Sequence, residues 1–164
     1  MSSPASGLAH VASIVCAVDA ARALPFLGDG LSLGRWALGS FDTRRIGRGL
    51  YQGTSLFDGG TVLIRPVIDH DRSQVNYWVG TRRDALSPRI MARVAPTLRG
   101  TPGVPACVVS LVAWRSDGMD DAGWARLMAC HDAEIHLIQA LLETARRPRR
   151  GMGIALPARR LNPG

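Results

Sequence analysis

The chain has 164 residues, 46% of them apolar and 20% charged, with three cysteines and a formal net charge of +7. That length suits one domain, and the absence of any run of roughly 18 apolar residues excludes a helical membrane span. The charge is uneven: residues 144–164 hold six arginines and no acid, while the rest sets 14 arginines against 13 acids, and lysine is absent throughout. Specific nucleic-acid reading would spread basic residues and aromatics over a folded surface. The expectation here is a solvated basic tail and no specific nucleic-acid partner. Cys16, Cys107 and Cys130 sit in apolar patterns without pair spacing, and no basic segment followed by an apolar stretch opens the chain. Both features point to reduced thiols in a cytoplasmic protein.

Residues 1–7 (MSSPASG) are expected to be a flexible leader. LAHVASIVCAV alternates loosely and predicts a strand over 8–16. DAARALPFLGDGLSLGRWAL predicts two short helices, 19–26 and 30–37, with Asp19 as a cap of the first and GDG as the break. From Gly39 the period becomes two, which predicts strands over 40–47, 49–57, 61–69, 73–80, 89–98 and 104–115. Turn chemistry separates them, as DGG at 58–60, DHDRS at 69–73 and a Gly/Pro loop at 100–105.

MDDAGWARLMACHDAEIHLIQALLETARR, residues 119–147, reads as one long helix. At about 100° per residue, Trp124, Leu127, Met128, His131, Ile135, Ile138 and Leu142 share a stripe. Asp120 and Asp121 in the first turn and Arg146 and Arg147 in the last suit the helix dipole, and Pro148 stops the helix. The scheme is thus a single domain over 8–147 and an Arg-rich flexible tail over 148–164. Antiparallel hairpins form a meander with one face to cover, and only this helix is long enough to cover it. The fold class is α+β: a curved antiparallel sheet of about seven strands, two short helices and one long C-terminal helix.

The opening HVASIVCAVDAARALPFLGDGLSLGRWALG, the core GLYQGTSLFDGGTVLIRPVID and the helix GWARLMACHDAEIHLIQALLE, taken with that element order, resemble the helix-grip fold. This is the fold of the START-related superfamily (SRPBCC), which includes birch-pollen-allergen-like proteins, lipid-transfer domains and polyketide cyclase/dehydrase-like proteins. The resemblance covers about residues 8–146 and includes no invariant catalytic signature. It implies a cavity between sheet and helix that takes a small hydrophobic ligand. Periodicity alone gives only a sheet with a covering helix.

His131 stands near the centre of the helix stripe, where an imidazole with an ordinary pKa of about 6.5 is suited to moving protons near neutral pH. Glu134, three residues on, borders the same face. The alternative is a core histidine satisfied by a carbonyl. In TVLIRPVID, Arg65 shares a face with Leu63 and Val67; turned inward it would fork onto a ligand carboxylate or enolate. In SQVNYWVG, either Asn76 and Trp78 or Val75 and Tyr77 point inward, and period two permits one set only. Ser110 is in phase with Val108, Val112 and Trp114, and Tyr51 with Ser55. Trp124, Met128 and Ile135 on the stripe complete the candidate lining. DHDR (Asp69, His70, Asp71, Arg72) resembles a metal cluster only in composition and reads as a hairpin turn. Cys130 and His131 diverge by about 100° on the helix and do not start a zinc site. No metal ligand set is assigned.

Three readings follow. The first is a binding protein for a small hydrophobic or aromatic, polyketide-like compound. The second is a cofactor-free enzyme of the cyclase, aromatase or dehydratase type, with His131 as acid or base, Glu134 tuning it, and Arg65 or a tyrosine at the oxyanion; it needs neither metal nor organic cofactor. The third is a dimeric interaction module, because Val62, Ile64, Pro66 and Ile68 make one apolar face of their strand while Leu63 and Val67 flank Arg65 on the other.

Overall fold

A computed structural model describes residues 7–144. The leader through residue 6, the tail from 148, and Arg146 and Arg147 at the predicted helix end lie outside the described residues. Seven strands form one antiparallel sheet: β1 (Ala9–Cys16), β2 (Phe41–Gly47), β3 (Leu50–Thr54), β4 (Thr61–Asp69), β5 (Gln74–Gly80), β6 (Ser87–Thr97) and β7 (Ala106–Trp114). Their spatial order is β1-β7-β6-β5-β4-β3-β2, so a meander from β2 to β7 is completed by the N-terminal strand. Two short helices, α1 (Ala20–Gly28) and α2 (Gly30–Leu33), link β1 to β2, and α3 (Asp121–Thr144) closes the described chain. This is the expected α+β helix-grip arrangement, and each predicted strand and helix has its counterpart.

Local chemistry sets the helix boundaries. The Asp19 carboxylate caps α1 by accepting from the Ala21 N–H at 2.9 Å. Asp29 caps α2 through the Leu31 and Ser32 N–H groups at 3.1 and 3.2 Å. The second helix is shorter than the predicted 30–37. Gly34 lies against β2, where a Cβ would meet the Thr43 nitrogen at 2.3 Å, and its carbonyl accepts from the Asp42 N–H. A turn therefore carries Trp36, and a single 3-10 turn (Leu38–Ser40) leads into β2. The DHDRS segment is a hairpin turn, as expected, with Arg72 bonded to the Asp69 carboxylate through both its backbone N–H and its guanidinium.

Alternation decides which sheet face is concave. Val75 and Tyr77 on β5, Ala92 and Val94 on β6, and Cys107, Val109 and Leu111 on β7 are buried. The helix α3, about 36 Å long at 1.5 Å per residue, crosses this face and is tied to the edge strand β1. Gln139 donates to the Val15 carbonyl at 2.7 Å, Glu143 accepts from the Ala17 N–H at 2.9 Å, and His10 bonds Asp132 at 2.9 Å. The first two ties occupy backbone groups on an edge that would otherwise be open to pairing. At the C-terminal end of α3, Ile138 and Leu142 close a core with Leu27, Val109 and Cys107.

Candidate functional site

Toward its N-terminal end α3 meets β4–β6 across open space. A cavity of about 670 Å³ lies there, with Val62, Ile64, Val79 and Ile90 on the sheet side, Trp36 and Ala37 from the turn after α2, and Leu127, Cys130, His131 and Glu134 on α3. Its mouth is framed by Phe57 from the β3–β4 loop and by Asp117 and Arg126, all exposed. The Arg126 guanidinium sits 5.4 Å from the Phe57 ring centroid, in cation–π range. Behind the mouth, Arg115 staples the β7–α3 loop: it donates twice to the Met119 carbonyl and pairs with Asp121 at 2.7 Å.

His131 is buried, and its Nδ1 has no hydrogen-bond partner. Its Nε2 lies 3.9 Å from the Glu134 carboxylate, beyond hydrogen-bond reach, and its ring centroid is 6.2 Å from that of His10. Burial, reinforced by neighbouring His10, pushes the imidazole down to about 4, so it is neutral at physiological pH. Glu134 has a visible structural task. Its Oε1 accepts from the Leu38 N–H at 2.7 Å, satisfying a donor at the start of a 3-10 turn whose own cap residue, Ala37, provides no side-chain bond. Burial pushes its carboxyl up to about 7, against the lowering effect of the Leu38 and Gly39 N–H groups. Tyr77 also lines the cavity, but its hydroxyl donates to the Leu27 carbonyl at 2.8 Å, and burial raises its pKa. The Cys130 thiol is raised by burial as well, which disfavours the thiolate a nucleophile requires.

Of the residues singled out from sequence, the fold brings His131, Glu134 and Tyr77 to the cavity. The others lie elsewhere. Arg65 is exposed on the convex face, because Ile64 takes the inward place on β4. Asn76 and Trp78 share the outward phase of β5, since Tyr77 is buried inward. Ser110 faces outward and its hydroxyl bonds that of its register partner Ser13 at 2.7 Å, while Trp114 is exposed at the end of β7. Tyr51 packs under α2, where a Cβ at Gly30 would sit 2.3 Å from its ring. Trp124, Met128 and Ile135 lie on α3 away from the cavity wall; Trp124 and Ile135 are buried and Met128 half-buried.

Arg89 and Trp36 also line the cavity, and neither is among the ligand contacts expected from sequence. Strict alternation would send Arg89 outward with Arg93. However, Tyr77 pairs with Ile90 while Trp78 pairs with Pro88, so β6 carries one extra residue, a bulge at Arg89. The available signal was Pro88: proline inside a central strand marks a strand start or a bulge. Among the described residues no group of three or more His, Cys, Asp or Glu side chains is placed to hold a metal ion, and no helix is long and apolar enough to cross a membrane.

Solved structures with this architecture define the class. The ZhuI aromatase/cyclase from Streptomyces sp. R1128 superimposes with a TM-score of 0.58 at 15% identity, over 85% of this chain and 95% of that one. The Aha1 dimer from Colwellia psychrerythraea gives 0.60 at 12% identity, over 85% and 98%. The di-domain ARO/CYC BexL from the BE-7585A biosynthetic pathway gives 0.58 at 14% identity, over 85% of this chain and 48% of that one. No protein-family model and no curated protein matches the sequence. The chain therefore shares the helix-grip fold of these structures, and at these identities the likeness is one of fold.

Proposed function

We propose that the cavity between the sheet and α3 binds a small hydrophobic or aromatic, polyketide-like compound. The observation that carries this reading is the cavity itself: about 670 Å³, walled mainly by apolar side chains, with a few polar groups and a mouth to solvent. Concave, mostly apolar sites of several hundred Å³ with sparse polar groups are the usual form of small-molecule pockets. Apolar burial supplies affinity at about 25 cal/mol per Å², and the polar wall sets orientation. The aromatase/cyclase named for ZhuI shares the fold, which supports the chemical class of the ligand by analogy only. With three free thiols and no spanning helix among the described residues, a cytoplasmic setting fits.

Native mass spectrometry of protein taken directly from cells, paired with thermal shifts against a library of aromatic compounds, tests the reading. A copurifying small molecule, or a rise in Tm with an apolar compound, is expected; at a hundredfold excess over Kd the gain is about 2.7 kcal/mol. A protein with no copurifying species and no shift with any apolar compound is not a binding protein of this kind.

A second reading, cofactor-free acid–base catalysis, is favoured by one feature. Glu134 is pushed into the neutral range and stands 3.9 Å from His131 in the cavity wall. Here neutral His131 accepts a proton and Glu134 tunes or relays it. His131→Gln then abolishes turnover of a polyketide-like substrate while the fold survives; equal loss of folding in His131→Gln and His131→Ala marks a structural histidine instead. The third reading, a homodimer, draws on Val11, Val67, Trp78 and Trp114, which are exposed on the convex sheet face. Light scattering after size exclusion decides it: a strict monomer removes the reading.

A further inference from the structure

On β6, Ala92 and Val94 are buried against the concave face and Arg93 is exposed, so period two assigns Arg89 to the convex side with Arg93. The bulge overrides the period. Three β6 residues, Pro88 to Ile90, stand opposite two on β5, Tyr77 and Trp78, and Arg89 lines the cavity beside Ile90. Bulges re-aim side chains in this way, and they do so often beside functional sites.

Among the described residues the arginine so delivered has no side-chain hydrogen bond or ion pair. Its Nε is buried without a hydrogen bond, and Arg89 forms no ion pair with any described residue. Guanidinium stays charged at any physiological pH, and a cation partly removed from water without a counter-charge is costly. Of the acids in the cavity lining, Glu134 holds the Leu38 N–H, Asp120 caps α3 through the Gly123 N–H at 2.7 Å, and Asp117 is exposed at the mouth without an ion pair to Arg89. A second orphaned donor belongs to the same wall. Trp36 lines the cavity with a buried, unpartnered Nε1, its ring packed edge-on against Tyr77 at 6.1 Å between centroids. Tyr77 is in turn the register partner of Ile90, next to Arg89. Two unpaired donors in one cavity wall, one of them on a cation, suit an anionic group.

We propose that Arg89 is the anion-recognition residue of this cavity, and that the ligand is an apolar, ring-containing compound bearing a carboxylate, with the Trp36 indole N–H as a neutral second donor. This rests on the reading of the cavity as a ligand site. The guanidinium fork matches a carboxylate through two parallel N–H···O bonds, a geometry that lysine does not reproduce.

Isothermal titration at pH 7 of the full chain with 2-naphthoate and with its neutral isostere 2-naphthamide tests the assignment. The wild type should bind the carboxylate about ten- to a hundredfold more tightly than the amide, the range expected for hydrogen bonds to a charged group. In Arg89→Gln the two affinities should converge, with the amide unchanged within about twofold; Arg89→Lys should retain part of the preference. Wild type that binds the amide as well as the carboxylate overturns the anion site and leaves the cavity reading standing. So does Arg89→Gln that keeps the preference. Binding of neither compound overturns both. Should Arg89→Gln fail to unfold cooperatively, the wild-type comparison and Arg89→Lys decide, since full wild-type preference in the lysine variant also contradicts a bidentate role.

Discussion

Along α3, Ile138 and Leu142 are 0% and 2% exposed and press into a closed core with Leu27, Val94 and Val109, whereas two to three turns earlier Leu127, Cys130 and His131 face open volume. One helix thus joins a packed region to a hollow one. The packed end gains dispersion contacts on every side, while the hollow end forgoes them along the cavity wall. The sheet divides in the same way: β7 and β1 lie directly under the helix with polar ties along its length, and β4–β6 curve away beneath its N-terminal half. Stability is concentrated where α1 and the C-terminal half of α3 meet the sheet. The other end holds polar groups that the fold leaves unpaired. Separation of this kind lets a site carry unsatisfied donors and a buried imidazole without endangering the whole structure.

Substitutions at the two ends should differ sharply. Ile138→Ala removes a fully buried side chain from the closed core and should cost about 2–5 kcal/mol in urea denaturation. At the boundary, Glu134→Ala strands the Leu38 N–H and should cost about 1–3 kcal/mol, while Glu134→Gln, which keeps an acceptor, should recover most of that. A third contrast is in pH. Unfolded His131 takes up a proton near 6.5, but the folded imidazole stays neutral down to about 4, so its contribution to stability falls as pH drops through that window. Glu134 works in the opposite sense, since the folded carboxyl stays protonated up to about 7 against 4.5 when free, so its contribution falls as pH rises. That effect is common to wild type and His131→Gln and largely cancels between them. Relative to wild type, His131→Gln should therefore gain on the order of 1–2 kcal/mol between pH 7 and pH 5; a constant difference would mean an imidazole open to solvent. The smallest effect should come from Leu127→Ala, under about 1 kcal/mol, because its side chain already borders empty space.

The packed region was legible in sequence because it obeys period. The alternation CVVSLVAW sorts the residues of β7 into two faces without naming the inner one, and the 3.6-residue stripe through Ile138 and Leu142 marks the buried face of α3. Asp19, the DHDRS turn and the meander order follow from equally local rules. The hollow region was legible only where it shared those rules: His131 and Glu134 lie on the stripe, but Trp124, Met128 and Ile135 on the same stripe do not reach the cavity, because helix periodicity gives a face and not the shape beneath it. Arg65, Ser110 and Trp114 lie on the convex face, since period two leaves open which of two faces is concave. Arg89 was hidden because it breaks the period, and a bulge is fixed by strand pairing at long range, with Pro88 as its single local mark. Trp36 was hidden because Gly34 ends α2 against β2 and turns the following residues toward the sheet.

The decisive measurement fills the hollow. Ile90→Trp adds bulk to the cavity wall, at a half-buried position on the border of the core that holds Ile138. Titrated with 2-naphthamide beside wild type, the variant should unfold as cooperatively as wild type and bind more than about tenfold more weakly. If it binds as tightly as wild type, or loses the 1–3 kcal/mol or more that overpacking costs a filled interior, then no ligand space lies under the N-terminal half of α3.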